Sequence, residues 1–185
     1  AAVQGEITNL ENEQRQERER LERERKARQR RLALLQVRQA GSGRQSSPGI
    51  AVDGFVFPVG GPHAYSDTWG DYRSGGRRHK GTDIYALKGT PAVAAINGVI
   101  HSLENQALGG LVLRLRSDNG DIYSYVHLNG YASGISVGTR VRAGQTIAYV
   151  GNTGNASDGP DHLHFEIHPG GGGAINPYPI LRATE

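Results

Sequence analysis

His162-Leu163-His164-Phe165-Glu166-Ile167-His168 alternates polar and apolar side chains without a break. Successive side chains of a strand point to opposite faces. The run therefore predicts a strand that turns Leu163, Phe165 and Ile167 towards a core. His162, His164, Glu166 and His168 share the other face. His168 is followed by Pro169 and a glycine run, which places it at the strand end and reads it as surface. A second run, Asp121-Ile122-Tyr123-Ser124-Tyr125-Val126-His127-Leu128, alternates too. Its pattern puts Tyr123, Tyr125 and His127 on one face and Ile122, Val126 and Leu128 on the other.

Further short runs lie outward from these two: Ala92–His101, Leu111–Arg116 and Thr146–Val150. Turn signals separate them, namely Asn97-Gly98, Gly109-Gly110, Asp118-Asn119-Gly120, Asn129-Gly130 and Ala143-Gly144. No helical periodicity competes. Residues 51–185 are long enough for one core and read as a mainly β domain, an antiparallel two-layer β-sandwich.

The histidine strand is also one half of a metal-ligand pattern. His162 and His164 stand one pleat repeat apart, and His79 and Asp83 occur in Arg78-His79-Lys80-Gly81-Thr82-Asp83. The chain has no cysteine, so nitrogen and oxygen are its strong metal donors. A borderline-soft ion such as zinc accepts imidazole and carboxylate. Two such pairs, converging, can supply three ligands and leave a fourth position open, which distinguishes a catalytic zinc from a structural one.

These motifs resemble the M23 family of zinc metallopeptidases, of the lysostaphin or LytM type. The pattern H-x(3)-D matches His79 to Asp83, Y-x-H-L matches Tyr125 to Leu128, and H-L-H-F-E matches His162 to Glu166. Smaller matches fill the gaps in order, among them Gly89-Thr90-Pro91, Val137-Gly138-Thr139, Gly144-Gln145, Gly151-Asn152-Thr153-Gly154 and Asn176-Pro177. The resemblance covers roughly Phe55 to Leu181. It implies the same β-sandwich, with the site in a groove on one sheet face. It implies that His79, Asp83 and His164 bind Zn2+ and that His127 and His162 flank the attacking water. It implies peptidoglycan peptides as substrate, cut in stem peptides or cross-bridges, and hence an extracytoplasmic location. Asp161 stands where a small residue or proline is common in the family.

The chemistry explains why such residues are needed. Zinc lowers the pKa of a water towards ~7 and polarises a scissile carbonyl. The tetrahedral oxyanion needs donors besides the metal. Two uncoordinated histidines suit proton transfer and oxyanion stabilisation; we take His162 as the base and His127 as the stabiliser, a division that spacing leaves open. Glu166 shares its strand face with His164, where it orients the ligand or is simply solvated. Trp69, the single tryptophan, is expected to pack beneath the first metal motif.

The charge is uneven. Residues 6–40 hold 10 of the 21 basic and 7 of the 18 acidic residues, a net +3, whereas the remainder carries 11 of each (21 − 10 and 18 − 7). The basic character thus belongs to an N-terminal arm, 1–40, and not to the β domain. Glu11, Arg15, Glu19 and Arg23 form a ladder at four-residue steps, as do Arg20, Glu24 and Arg28. Opposite charges at that spacing support a helix by ~0.2–0.5 kcal/mol per pair. Leu10, Leu21 and Leu32 recur every eleven residues, which sustains no heptad seam. The arm reads as a charged α-helix, single or in a weak coiled coil. Residues 41–50, rich in Gly, Ser and Pro, read as a flexible linker.

Acidic residues interleaved with the basic ones argue against nucleic acid as a partner. A protein partner for the arm is the alternative expectation. No twenty-residue apolar stretch offers a membrane span. A chain starting at Ala1 without any methionine reads as a processed or trimmed product. Two other readings compete with this one. A non-catalytic LytM-like module that activates a partner hydrolase typically lacks the zinc ligands that are all present here. A biotinyl or lipoyl carrier needs an exposed lysine on a hairpin turn, and no lysine follows Lys88.

Overall fold

The computed structural model describes residues 12–18, 20, 21 and 54–185. Residues 12–18, 20 and 21 are helical, as the charge ladder predicts for that stretch. Two side-chain pairs here are at three-residue spacing: Arg15 donates to Asn12 and Arg20 to Glu17, each at 2.8 Å. The rest of the arm, its leucine pattern and the 41–50 linker lie outside the described residues.

Among the described residues the β domain has ten strands, all paired antiparallel. They are β1 Ala64–Tyr65, β2 Thr82–Tyr85, β3 Pro91–Val93, β4 Gly98–Gln106, β5 Gly110–Ser117, β6 Ile122–Leu128, β7 Gly130–Tyr131, β8 Arg140–Val141, β9 Thr146–Tyr149 and β10 His162–His168. A seven-stranded sheet runs β1-β2-β10-β6-β5-β4-β8, and a three-stranded sheet runs β3-β9-β7. A short helix, Tyr178–Thr184, closes the described chain.

The core lies between the sheets. Ile84, Leu113, Leu115, Tyr125, Leu163 and Phe165 come from the large sheet, and Ala92, Ile147 and Ala148 from the small one. Each of these nine is fully buried, a favourable transfer of roughly 1.5–3 kcal/mol for each large apolar side chain. Phe165 sits among Phe55, Tyr123 and Tyr125, with centroids 5.3 to 6.3 Å away. The Tyr125 hydroxyl is buried but satisfied, because Ala95 N donates to it at 2.7 Å. That bond joins the large sheet to the segment following β3.

The predicted face of β10 is observed: Leu163, Phe165 and Ile167 are buried, while the alternating histidines and Glu166 are less so. Two expectations need correction. The run Ala92–His101 is two strands in different sheets, β3 and β4, because the chain turns over through residues 94–97. The face assignment in β6 is also reversed for its tyrosines. Phe165 stands opposite Tyr125, and Ile167 opposite Tyr123. Residues directly opposite share a face, so both tyrosines point into the core. Aromatic bulk prevails over the hydroxyls, which is why a polar/apolar reading misplaced them.

His127 reaches the opposite face by a different device. Leu111 pairs with Leu128 and Leu113 with Tyr125, so Val126 and His127 together face the single residue Val112. This is a β-bulge. His127 has φ 65°, the left-handed region, alone among the non-glycine residues described. The extra residue breaks the two-residue period and redirects the imidazole away from Tyr123 and Tyr125.

Candidate metal centre

Strand pairing brings the two distant ligand motifs together. In the β2–β10 ladder, Asp83 stands directly opposite His164. His79 precedes β2 and is held by a small hairpin-like loop. Gly70 N donates to His79 O at 2.9 Å, and His79 N donates to Asp71 O at 2.8 Å. Tyr72 and Arg78 bridge across the same loop. Gly81 lets the loop approach β10: a Cβ there would lie 2.5 Å from Phe165 O and 2.7 Å from His164 Nε2. No larger residue fits without displacing the ligand or the strand backbone.

The three donor atoms form a near-equilateral triangle. His79 Nε2 lies 2.8 Å from His164 Nδ1 and 3.0 Å from Asp83 Oδ1, and His164 Nδ1 lies 2.9 Å from Asp83 Oδ1. The group could hold a metal ion. Tautomers follow from the acceptors on the far side of each ring. His79 Nδ1–H donates to Thr68 O at 2.8 Å, which leaves Nε2 as the ligating lone pair. His164 Nε2–H donates to Glu166 Oε1 at 3.0 Å, which leaves Nδ1. A carbonyl or carboxylate partner behind each ligand ring is the arrangement that orients metal-binding histidines.

Two further histidines stand over the triangle. His162 shares the β10 face with His164, and its Nε2 lies 3.8 Å from Asp83 Oδ1. His127 packs near it, tilted 60° with ring centroids 5.0 Å apart, and lies edge-on 6.0 Å from the His164 ring. Their Nδ1–H groups donate to Pro160 O at 2.8 Å and Thr153 O at 2.9 Å respectively. Both rings therefore present an Nε2 lone pair when neutral. The segment 153–160 orients both rings through these carbonyls and is more than a simple connection.

Electrostatics favour a positive charge at the triangle. Without a cation, burial opposes the His164 imidazolium, but the Asp83 and Glu166 carboxylates outweigh it and lift its pKa to about 9. Burial likewise opposes the Asp83 carboxylate, yet hydrogen bonds from His164 and His79 hold its pKa well below the usual range. Glu166 is pulled down to about 2: burial works against this, and the bonds from His164 and His168 prevail. His127 goes the other way, to about 4, through burial and then the charges of His162 and His164.

All five residues singled out from the sequence, His79, Asp83, His127, His162 and His164, meet in this one place. His168 stays outside the triangle and donates to the other Glu166 oxygen, Oε2, at 2.8 Å. Trp69 is half-buried, with its backbone N–H capped by Asp67. One residue escaped the sequence reading. Arg73 donates from Nη2 to Asp83 Oδ2 at 2.7 Å, the carboxylate oxygen turned away from the triangle. Nothing in its spacing distinguishes it from the chain's many other arginines.

Known proteins resemble this chain in sequence and fold. The profile of peptidase family M23 matches residues 77–177, more than half of the chain. The L-Ala–D-Glu endopeptidase of Bacillus subtilis is 38% identical over 141 residues, which span 71% of this chain and 43% of that protein. The murein hydrolase activator EnvC of Escherichia coli is 37% identical over 127 residues, 68% of this chain and 28% of that protein. The chain thus spans less than half the length of either relative. Among solved structures, the antimicrobial peptidase lysostaphin from Staphylococcus simulans superposes with a TM-score of 0.57 at 29% identity, covering 66% of this chain and 50% of that one. LytU superposes with a TM-score of 0.58 at 38% identity, covering 65% and 86%. With the ligand triangle, the paired strands and the matched profile in agreement, the chain belongs to peptidase family M23.

Proposed function

We propose that this chain is a zinc-dependent endopeptidase that hydrolyses peptide bonds of peptidoglycan, in stem peptides or cross-bridges, outside the cytoplasmic membrane. The carrying observation is the triangle of His79 Nε2, Asp83 Oδ1 and His164 Nδ1, with edges of 2.8 to 3.0 Å. Bonds of ~2.0–2.1 Å in a tetrahedral site imply donor separations of roughly 3.3 Å, so a small outward shift accommodates zinc. Two nitrogens and one carboxylate oxygen, with no sulfur, match its catalytic donor sets. Zinc bound there supplies Lewis acidity, acidifying a water and polarising the scissile carbonyl.

The chain's own groups do the rest. His162 accepts the water's proton at Nε2, with its Nδ1–H anchored on Pro160 O. That Nε2 lies 3.8 Å from Asp83 Oδ1, at the edge of the ligand triangle. The same Nε2 then delivers the proton to the leaving amine. His127, held through Nδ1–H by Thr153 O, is neutral at ordinary pH; as negative charge builds beside it, its Nε2 takes up a second proton from solvent, donates to the developing oxyanion, and returns that proton to solvent when the intermediate collapses. Glu166 and Thr68 hold the ligand rings.

The organisation we infer is a charged helical arm, 1–40, a linker, 41–50, and the peptidase, 51–185. The EnvC relative, named as an activator, favours a second reading for the arm, as a handle for a protein partner. The test is zinc content with digestion of purified cell wall. His164→Ala is expected to lose both metal and activity, and His127→Ala to keep metal and lose most turnover. Full zinc occupancy in the His164→Ala protein contradicts the ligand set.

A further inference from the structure

We propose that Arg73 selects the substrate, binding a peptide carboxylate next to the scissile bond, so that acidic stem peptides are preferred over neutral glycine bridges. This rests on the endopeptidase reading above and sharpens it. The loop that carries His79 is rich in cations: Arg73, Arg77, Arg78 and Lys80 stand against Asp67 and Asp71. Two of the arginines are engaged within the loop. Arg77 donates to Ser74 O and Oγ, and Arg78 donates to Gly70 O and lies 3.6 Å over the Tyr72 ring.

Arg73 turns instead to the metal centre. Its backbone N donates to Arg77 O at 2.9 Å, around a tight turn in which Gly75 and Gly76 have φ of 73° and 74°. That turn fixes the direction of the side chain. The contact with Asp83 Oδ2 engages one terminal nitrogen, at 2.7 Å, and 30% of the side-chain surface stays exposed. A guanidinium has five N–H donors in a planar fork suited to carboxylates. The donors not spent on Asp83 therefore stand at the rim of the site, one carboxylate away from the ligand triangle. A backbone advances by about 3.5 Å per residue when extended. A carboxylate on the residue beside the scissile carbonyl thus comes within reach of the fork, whereas a glycine bridge offers it nothing. The partly exposed position keeps desolvation small, which suits recognition better than a fully buried pair.

The experiment compares a peptide containing L-Ala–D-Glu with the same peptide in which the free carboxylate is a carboxamide. Both are titrated calorimetrically into the zinc-loaded full chain, for the wild type, Arg73→Gln and Arg73→Lys, and released amine is followed in parallel. A charge-assisted bond at a part-exposed site is expected to make the acid bind roughly tenfold tighter than the amide in the wild type. The ratio should fall to within about twofold in Arg73→Gln and be partly kept in Arg73→Lys. Because both peptides meet the same variant, any loosening of Asp83 cancels from the ratio, and zinc content reports that loosening separately. Equal binding of the two peptides by the wild type, no binding of either, or a ratio that survives Arg73→Gln overturns the proposal. Tighter binding of the acid without any released amine upholds it and counts against the endopeptidase reading; cleavage with no acid preference does the reverse.

Discussion

Removing the Glu166 carboxylate is expected to weaken the metal site without touching a ligand. Glu166 Oε1 accepts from His164 Nε2–H at 3.0 Å, and Oε2 accepts from His168 at 2.8 Å. The carboxylate thereby fixes the His164 tautomer and raises the donor strength of Nδ1. Burial opposes the carboxylate, but the bonds and charges of His164 and His168 outweigh it, and its pKa falls from 4.5 to about 2. Loss of such a partner typically costs tenfold to a hundredfold in metal affinity, or about 1.4–2.8 kcal/mol. Glu166→Ala should therefore weaken zinc by that factor in competition with a chromophoric chelator at pH 7. Glu166→Gln, which keeps an acceptor oxygen but not the charge, should lose about half as much in free energy. A thermal melt of each metal-free variant separates this effect from loss of folding. Zinc affinity of Glu166→Ala within twofold of the wild type would show instead that packing alone orients the ring.

Two further expectations concern His127. Its φ of 65° is one that glycine tolerates and alanine does not, so His127→Gly should be more stable to urea than His127→Ala by about 1 kcal/mol; equal or reversed stabilities would show that the bulge relaxes on substitution. Its pKa of about 4 lies below the ordinary 6.5, so the folded state resists a proton that the unfolded chain accepts. The stability this residue contributes is then full above pH 6.5 and lost as pH falls towards 4. In the metal-free protein its ring resonances should titrate with a midpoint near 4, and a midpoint at or above 6 would contradict the burial argument.

Much of the architecture was legible because alternation is a local property. Leu163, Phe165 and Ile167 are apolar at every second position, and a strand buries every second position. The same rule failed in β6, where tyrosine counts as polar by its hydroxyl but packs by its ring. Tyr125 enters the core because Ala95 N supplies the hydroxyl with a partner, and that partner is thirty residues away. The rule failed again at His127, where the bulge inserts a residue that no composition signal marks. Donor types and short spacings marked the two ligand motifs, and the family resemblance singled out His79, Asp83 and His164, whose donor atoms do converge.

What the amino-acid order settled by itself is the kind of chemistry: imidazole and carboxylate donors in two short motifs, strands to carry them, and a charged segment set apart from a neutral domain. Side-chain identity and near-neighbour spacing are enough for that. The folded chain alone decided how those groups are aimed. The carbonyls of Thr68, Thr153 and Pro160 choose which nitrogen each ring presents, a left-handed residue turns His127 over the triangle, and Arg73 reaches Asp83 from the loop that carries His79. Apart from the Pro160 carbonyl, which is two residues from His162, these depend on close approach between segments, and such contacts leave no periodic trace along the chain.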